Sequence, residues 1–174
     1  MLKTAMNNAL FAYCIFCDHS CHDNIVAILE KQYHLKAFSP KVINHKKING
    51  AIEAVTECFL QGYVFVFSEI EISDWDFIYR ISGVYKLLGR KENNCCLEGD
   101  DRTFALELEK LNGVIGRIKV WKSKDDMGIA DDSFSKASNA RIIKLDSRKK
   151  RARVEFSFNN MKFSVWAAVE LETK

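Results

Sequence analysis

Proline and glycine are scarce in this chain of 174 residues, which contains one proline and eight glycines. Proline-rich and glycine-rich linkers are therefore excluded, and any segment that joins two domains must be short. The chain also lacks a glycine-rich loop of the kind that surrounds a bound phosphate. Because 48% of its residues are hydrophobic and 28% are charged, its composition is that of a globular protein and not of a disordered tail.

We expect no secretion signal at the start of this sequence. Lys3 precedes an uncharged stretch over residues 4–17, but Asn7 and Asn8 interrupt it and no small-residue cleavage site follows. The apolar part of this stretch is too short to span a membrane. We therefore predict a cytoplasmic protein.

The sequence contains no recognisable catalytic set. A Cys21 thiol activated by His22 is disfavoured, because neighbours in sequence rarely present a nucleophile to its own base. Zinc is a weaker interpretation of the six cysteines than reduced, largely buried thiols, since the second ligand pair would be two adjacent cysteines. We expect no enzymatic activity, no metal and no cofactor. The cysteines are Cys14, Cys17, Cys21, Cys58, Cys95 and Cys96.

Charge is distributed unevenly along the chain. Residues 1–114 carry 12 Lys or Arg against 15 Asp or Glu, a net charge of −3. Residues 115–174 carry 14 against 8, a net charge of +6. A polyanionic partner is therefore expected for the C-terminal part alone.

The N-terminal part predicts a split β-α-β-β-α-β order with an added helix, and hence an α+β fold. Ser20 with Asp23, and Ser73 with Asp76, are placed to cap the first two helices. Asn49-Gly50 predicts a hairpin turn. The predicted strands cover residues 11–17, 35–42, 52–67 and 84–88, and the helices begin near residues 22, 76 and 100.

The C-terminal part changes to short strands without helical periodicity. Strands are predicted over residues 141–145, 152–158 and 162–166, and the turns between them contain Asp146-Ser147 and Asn159-Asn160. Short strands joined by tight turns favour a small β-barrel. We therefore predict an N-terminal domain over 1–113, a linker over 114–124 and a barrel over 125–174.

The stretch "CFLQGYVFVF", residues 58–67, is unusually aromatic. In a strand, Tyr63, Phe65 and Phe67 would lie on one face, with Val64 and Val66 on the other. A strand covered on both faces explains a continuous apolar run, whereas an interface explains so many aromatic residues on one face. Periodicity alone leaves both interpretations open.

Three segments in order resemble the NusG family of transcription elongation factors. The opening stretch resembles the family's "FPGYVFV" strand, and "ISGVYKLLG" at 81–89 resembles its "xPGVxxfvG" segment. "ARIIKLDSRKKRARVEF" at 140–156 is similar to the core of the KOW domain. The resemblance implies an N-terminal NGN domain and a C-terminal SH3-like KOW barrel, and the last two segments are most similar to the specialised LoaP branch.

Several positions depart from the family pattern. Gln61 stands where proline is usual, and Ala12 where the first strand usually starts with tryptophan. The KOW glycine corresponds to Ala140, or to Asn139 if the loop is one residue longer, and Lys150 falls where many members have glycine. These departures favour a divergent paralogue over the housekeeping factor.

The resemblance implies that an apolar patch of the NGN domain docks on the clamp region of RNA polymerase. The alternative is that the same side chains cover the domain's own helices. The matching positions are Phe16, Leu60, Tyr63, Phe65 and Leu87.

A basic cluster at a predicted strand turn is a candidate nucleic-acid site. Clustered cations bind phosphates with release of counterions, and LoaP-like members engage structured RNA, although a solvated hairpin tip is the alternative. The cluster comprises Lys144, Arg148, Lys149, Lys150 and Arg151.

Phe134 matches the KOW loop aromatic through which NusG contacts a ribosomal protein or termination factor.

Taken together, these features predict a monomeric antitermination factor that binds RNA polymerase and nascent RNA. The alternatives are a general elongation factor of the same family and a standalone RNA-binding module without polymerase contact.

Overall fold

The computed structural model describes residues 10–89, 95–123, 126–130, 135–136 and 138–172. Within these residues the chain is α+β, as predicted, and no helix is long and apolar enough to cross a membrane. The elements are β1 Phe11–Cys17, α1 His22–Tyr33, β2 Lys36–Phe38, β3 Lys41–Ile48, β4 Ala51–Cys58, β5 Tyr63–Ser68, a 3-10 helix Asp76–Arg80, β6 Val84–Leu87, α2 Gly99–Lys110, β7 Val114–Ile115, β8 Ile118–Lys122, β9 Met127–Ile129, β10 Arg141–Asp146, β11 Arg151–Phe158 and β12 Met161–Glu172.

Contacts divide the chain into two compact units that are not continuous in sequence. The first contains Met1–Phe38 and Gly62–Leu97, and the second contains Ser39–Gln61 and Glu98–Lys174. The hairpin β3–β4 and helix α2 therefore belong to the same unit as the C-terminal strands. The predicted domain over 1–113, linker over 114–124 and barrel over 125–174 stay predictions.

The first unit is built on an antiparallel sheet with strand order β2-β5-β1-β6. Tyr13, Ile15, Val64 and Val66 alternate with the residues of the other face and pack in one core cluster, which includes residues of α1 and of the 3-10 helix. The Tyr13 ring lies 4.6 Å from that of Trp75. Burial raises the pKa of the Tyr13 phenol well above its usual range.

Both predicted helix caps in this unit are wrong. Helix α1 begins after Cys21 without a side-chain cap, because the Ser20 hydroxyl donates to Asp18 at 2.7 Å instead. The segment after Ser73 forms only a 3-10 helix of five residues, with Trp75 as its N-cap. A single tight turn is enough to bury both Trp75 and Ile78 before Gly83 redirects the chain at φ 89°.

Two strands that were predicted as continuous are interrupted. Ser39 and Pro40 separate β2 from β3, and residues 59–62 separate β4 from β5. At Gly62 the backbone has φ 81°, which a strand cannot adopt. The strands on either side of each break belong to different sheets.

The second unit contains the predicted hairpin and a five-stranded sheet. Asn49 and Gly50 have φ of 50° and 89°, as the predicted two-residue turn between β3 and β4 requires. The larger sheet has the order β10-β11-β12-β8-β9, in which β12 and β8 run parallel. Asn159 and Asn160, at φ of 51° and 57°, form the predicted turn between β11 and β12.

Aromatic rings form the centre of the second unit. Phe156 lies 5.1 Å from Phe59, 5.9 Å from Phe104 and 5.7 Å from Phe163, measured between ring centroids. These residues come from the end of the hairpin, from α2 and from the C-terminal strands. The ring contacts explain why segments distant in sequence share one unit.

Candidate functional sites

The predicted polymerase-binding residues do not share one surface. Strand pairing sets Phe16 opposite Tyr63 and Lys86, so these residues lie on one face of the sheet of the first unit, where Phe65 also lies. Ile15 pairs with Leu87, which places Leu87 in the core on the opposite face.

Burial further narrows the predicted set. Tyr63 is 6% exposed, Phe65 and Leu60 are fully buried, and burial raises the pKa of the Tyr63 phenol. Phe16 is half-buried. The binding role of these residues stays a prediction, but among them only Phe16 offers a substantial part of its side chain to a partner.

Two residues that the sequence interpretation did not select complete an exposed cluster around Phe16. The Tyr85 ring is 5.7 Å from that of Phe16 and is 57% exposed. The ammonium group of Lys86 lies 5.9 Å from the centre of the Phe16 ring, within range of a cation–π contact. We call Phe16, Tyr63, Tyr85 and Lys86 the aromatic patch.

Asp18 holds Tyr85 at the edge of the aromatic patch. Its carboxylate accepts a hydrogen bond of 3.2 Å from the Tyr85 hydroxyl. Hydrogen bonds from Ser20 and then from Tyr85 keep the pKa of Asp18 below its usual value, and the charge of Asp18 raises the pKa of Tyr85. The sequence carried no signal for this pair, because Asp18 and Tyr85 lie 67 residues apart and meet only in the folded sheet.

The predicted nucleic-acid residues divide into exposed and structural members. Lys144, Arg148 and Lys150 are exposed, and Lys149 is half-buried in the turn between β10 and β11. We call residues 147–150 the basic turn. Its tip therefore presents cations to solvent, as a phosphate-binding surface requires.

Arg151 points inward. Its guanidinium lies 4.5 Å from the centre of the Trp166 ring, 3.5 Å from the Asp146 carboxylate, and 3.4 Å from the His45 carbonyl, to which it donates. Burial alone would raise the pKa of Asp146, but hydrogen bonds from the Lys149 amide and from Arg151 hold it below its usual value. Arg151 thus orders the turn, and its predicted contact with nucleic acid has no support in this geometry.

A buried histidine fixes the end of the basic turn. The Lys150 carbonyl accepts a hydrogen bond of 2.8 Å from His45 Nδ1 and one of 2.9 Å from the Val169 amide. The turn is consequently anchored to β3 and β12.

The backbone is left-handed at Asn139 and Lys150, close to the two positions of the C-terminal part where the sequence pattern described above would have glycine. Asn139 has φ 50° and Lys150 has φ 49°, so the conformation falls on Asn139 and not on Ala140. Asparagine tolerates this region, whereas lysine is strained there.

Replacing Lys150 by glycine should therefore stabilise the second unit by about 0.5–1 kcal/mol, because glycine has no Cβ to clash at positive φ. Denaturant titration of the full chain measures the change. Lys149→Gly is the matched control, since Lys149 lacks a positive φ and should gain nothing. Equal effects of the two substitutions would contradict the explanation.

The remaining predicted sites can be located only in part. None of the six cysteines, all of which lie in the described ranges, forms a disulfide, and Cys14 and Cys17 are buried. Across the described ranges no group of three or more His, Cys, Asp or Glu side chains is placed to hold a metal ion. Phe134 lies outside the described residues.

Comparison with known proteins gives a likeness in structure but none in sequence. No protein-family model matches the chain, and no curated protein does. A solved structure titled "Domain interaction in Thermotoga maritima NusG" matches with a TM-score of 0.50 and 12% identity, over 91% of this chain and 93% of that chain. The fold is NusG-like. Within this NusG-like fold, the aromatic patch belongs to the first unit and the basic turn to the second.

Proposed function

We propose that this chain is a specialised NusG-like transcription factor that binds RNA polymerase through the aromatic patch and structured nascent RNA through the basic turn. In this proposal the first unit corresponds to the NGN domain, and the C-terminal strands form the KOW barrel. The protein acts as a cytoplasmic monomer, by binding and without catalysis.

The aromatic patch is the observation that carries the polymerase assignment. Phe16 and Tyr85 present an aromatic surface with Lys86 above it, and aromatic residues are enriched at protein interfaces. Tyr85 is 57% exposed, whereas an aromatic ring that packs only against the core of its own unit is largely buried. A partner that covered both rings would bury their apolar surface, and a few such aromatic residues can supply most of the binding energy of an interface.

The exposed cations of the basic turn support the RNA assignment. At the tip Arg148 is exposed and Lys149 is half-buried, and neither has a side-chain ion pair among the described residues, whereas Arg141 nearby is paired with Glu155 at 2.6 Å. Unpaired cations are free to neutralise phosphates. Binding that favours the elongating state of the polymerase over the paused state would then produce antitermination.

Replacing Phe16 and Tyr85 together by alanine should weaken binding to core RNA polymerase by about 30-fold or more, because truncation of interface aromatics costs about 2 kcal/mol or more. Biolayer interferometry with the full chain measures the affinity. Tyr79→Ala is the control, because Tyr79 is a 41% exposed aromatic of the same unit outside the aromatic patch.

Unchanged polymerase affinity in a folded Phe16→Ala/Tyr85→Ala variant would refute the docking assignment. If that variant still bound RNA, a standalone RNA-binding module would be the better description. Circular dichroism identifies a misfolded variant, and the single Tyr85→Ala change on an exposed ring then tests the same surface.

Replacing Arg148 and Lys149 by alanine should weaken binding to a structured leader RNA and flatten its salt dependence. The slope of log affinity against log salt should fall by about 0.7–0.9 for each phosphate that the variant no longer neutralises. Lys162→Ala is the control, because Lys162 is an exposed lysine that lies 3.6 Å from the Glu155 carboxylate. A slope unaffected by the double substitution would overturn the RNA assignment.

Transcription assays distinguish a specialised factor from a general one. The specialised role predicts terminator readthrough only on templates that encode the recognised leader RNA. Equal stimulation of elongation on all templates would instead indicate a general elongation factor.

A further inference from the structure

A cleft of about 600 Å³ in the second unit lies beside the basic turn, and most of its lining has no assigned role. One part of the lining is apolar and consists of Ile52 on β4 with Val169 and Leu171 on β12. Another part is cationic and consists of Arg117, just before β8, and Lys150 at the end of the basic turn. The volume falls within the range of small-molecule sites.

The cations of the cleft are available for a ligand. Neither Arg117 nor Lys150 forms an ion pair or side-chain hydrogen bond with any described residue. By contrast, Lys46 on the hairpin β3–β4 is paired with Glu57, whose pKa would be raised by burial but is lowered by hydrogen bonds from Lys46 and Asn44. An unpaired arginine and lysine beside one cleft therefore provide a place for an anionic group.

The walls of the cleft are held in place by the backbone. Pairing of β12 with β8 sets Val169 beside Ile118, which fixes Arg117 relative to the apolar wall. The two hydrogen bonds to the Lys150 carbonyl fix the turn relative to His45 and Val169. Positions set by sheet and turn contacts favour a built site over a chance depression.

The chemistry of the lining favours a ligand that combines an anion with a flat apolar part. A small multiply charged anion would meet the Glu170 carboxylate, which also lines the cleft. A nucleotide matches each part of the lining. Its phosphate can pair with Arg117 and Lys150, and its base and sugar can pack on the apolar wall. A base amino group can donate a hydrogen bond to Glu170.

We propose that this cleft holds one unpaired nucleotide of the RNA that the basic turn contacts. The inference rests on the proposed RNA binding. Lys150 belongs to both surfaces, so an RNA strand neutralised by Arg148 and Lys149 at the tip has a short path to the cleft. The basic turn then supplies general affinity for phosphates, and the cleft supplies a preference for RNA with an unpaired position.

The test uses the full chain and two labelled RNA hairpins that differ only by one unpaired nucleotide in the stem. Fluorescence anisotropy should show that the wild-type chain binds the bulged hairpin about tenfold more tightly, a difference of about 1.4 kcal/mol. Arg117→Ala should abolish most of this preference and leave affinity for the fully paired hairpin within about twofold.

Two further variants distinguish the loss of an RNA-binding group from the loss of the fold. Lys150→Gly removes the ammonium group where glycine suits the backbone, so it should stabilise the protein and yet reduce the preference for the bulged hairpin. Lys119→Ala removes an exposed cation of β8 outside the cleft lining and should keep the preference. Cross-linking from 4-thiouridine at the unpaired position should map to the peptides that contain Ile52 or Leu171.

Different outcomes overturn different assignments. Equal binding of the two hairpins by the wild-type chain, an undiminished preference in Arg117→Ala, or cross-links confined to other peptides would overturn the cleft. If Arg148→Ala/Lys149→Ala still lost RNA affinity in those cases, RNA binding by the basic turn would stand. Absence of RNA binding by the wild-type chain would overturn both.

Discussion

Replacing Phe156 by alanine should lower the free energy of unfolding of the second unit by about 3–5 kcal/mol, the usual cost of removing a buried phenylalanine ring. Phe156 is 2% exposed and contacts three other rings. Phe59 and Phe104 would lose a packing partner, and both come from segments before residue 114. The effect should therefore extend beyond the C-terminal strands.

Denaturant unfolding measures the loss of stability, and amide hydrogen exchange locates it. Amides of α2 should exchange faster in Phe156→Ala, because the helix packs on the affected ring through Phe104. Phe163→Ala is the control, since Phe163 is only half-buried and contacts Phe156 across the hairpin β11–β12. Unchanged exchange in α2 would instead support the division at 114–124 predicted from sequence.

Elements defined by local signals could be predicted from the sequence. Strand β1, helices α1 and α2, and the hairpin around Asn49-Gly50 occur close to where periodicity and turn residues placed them. Each of these signals acts within a few residues. The sequence could not show where β4 ends and β5 begins, because an apolar run is compatible with one strand or with two strands in different sheets.

The allocation of segments to the two units depends on contacts far apart in sequence. The chain order favoured a boundary after α2, but Phe104 of α2 packs with Phe156 and Phe158. The stacking of these rings leaves no trace in local periodicity. Composition and charge therefore indicated where the C-terminal strands lie in the sequence. They did not indicate that α2 packs with those strands.

The candidate sites show the same limit. The family resemblance pointed to the segment that contains Tyr85, but within it the resemblance selected Leu87. The strand register, which the sequence does not reveal, places Leu87 beside Ile15 and Lys86 beside Phe16. In the basic cluster the sequence could not separate Arg151, which packs on Trp166, from the exposed Arg148 and Lys150. Residue type predicted the chemistry of each surface, and burial decided which members present it.

Replacing Gly62 by alanine should destabilise the first unit by about 2–4 kcal/mol, because the change combines backbone strain with a steric clash. Gly62 has φ 81°, and an added Cβ would lie 2.7 Å from the Cys17 carbonyl oxygen. That oxygen belongs to the backbone, so it cannot move aside as the end of a flexible side chain could. The Gly62 carbonyl also accepts a hydrogen bond of 2.8 Å from the Cys17 amide, which ties β5 to β1 at this point.

Gly50→Ala separates the two contributions. Gly50 has φ 89°, and an added Cβ would meet no atom within 4 Å, so this control carries the backbone strain alone. Thermal unfolding should show a clearly larger loss of stability for Gly62→Ala than for Gly50→Ala. The new methyl group would also lie 3.4 Å from the Phe16 ring, so Gly62→Ala should weaken polymerase binding as well if the aromatic patch docks there. Equal losses of stability in the two variants would mean that the clash at Cys17 is relieved by movement of the strands, and Gly62 would then be required only for its positive φ.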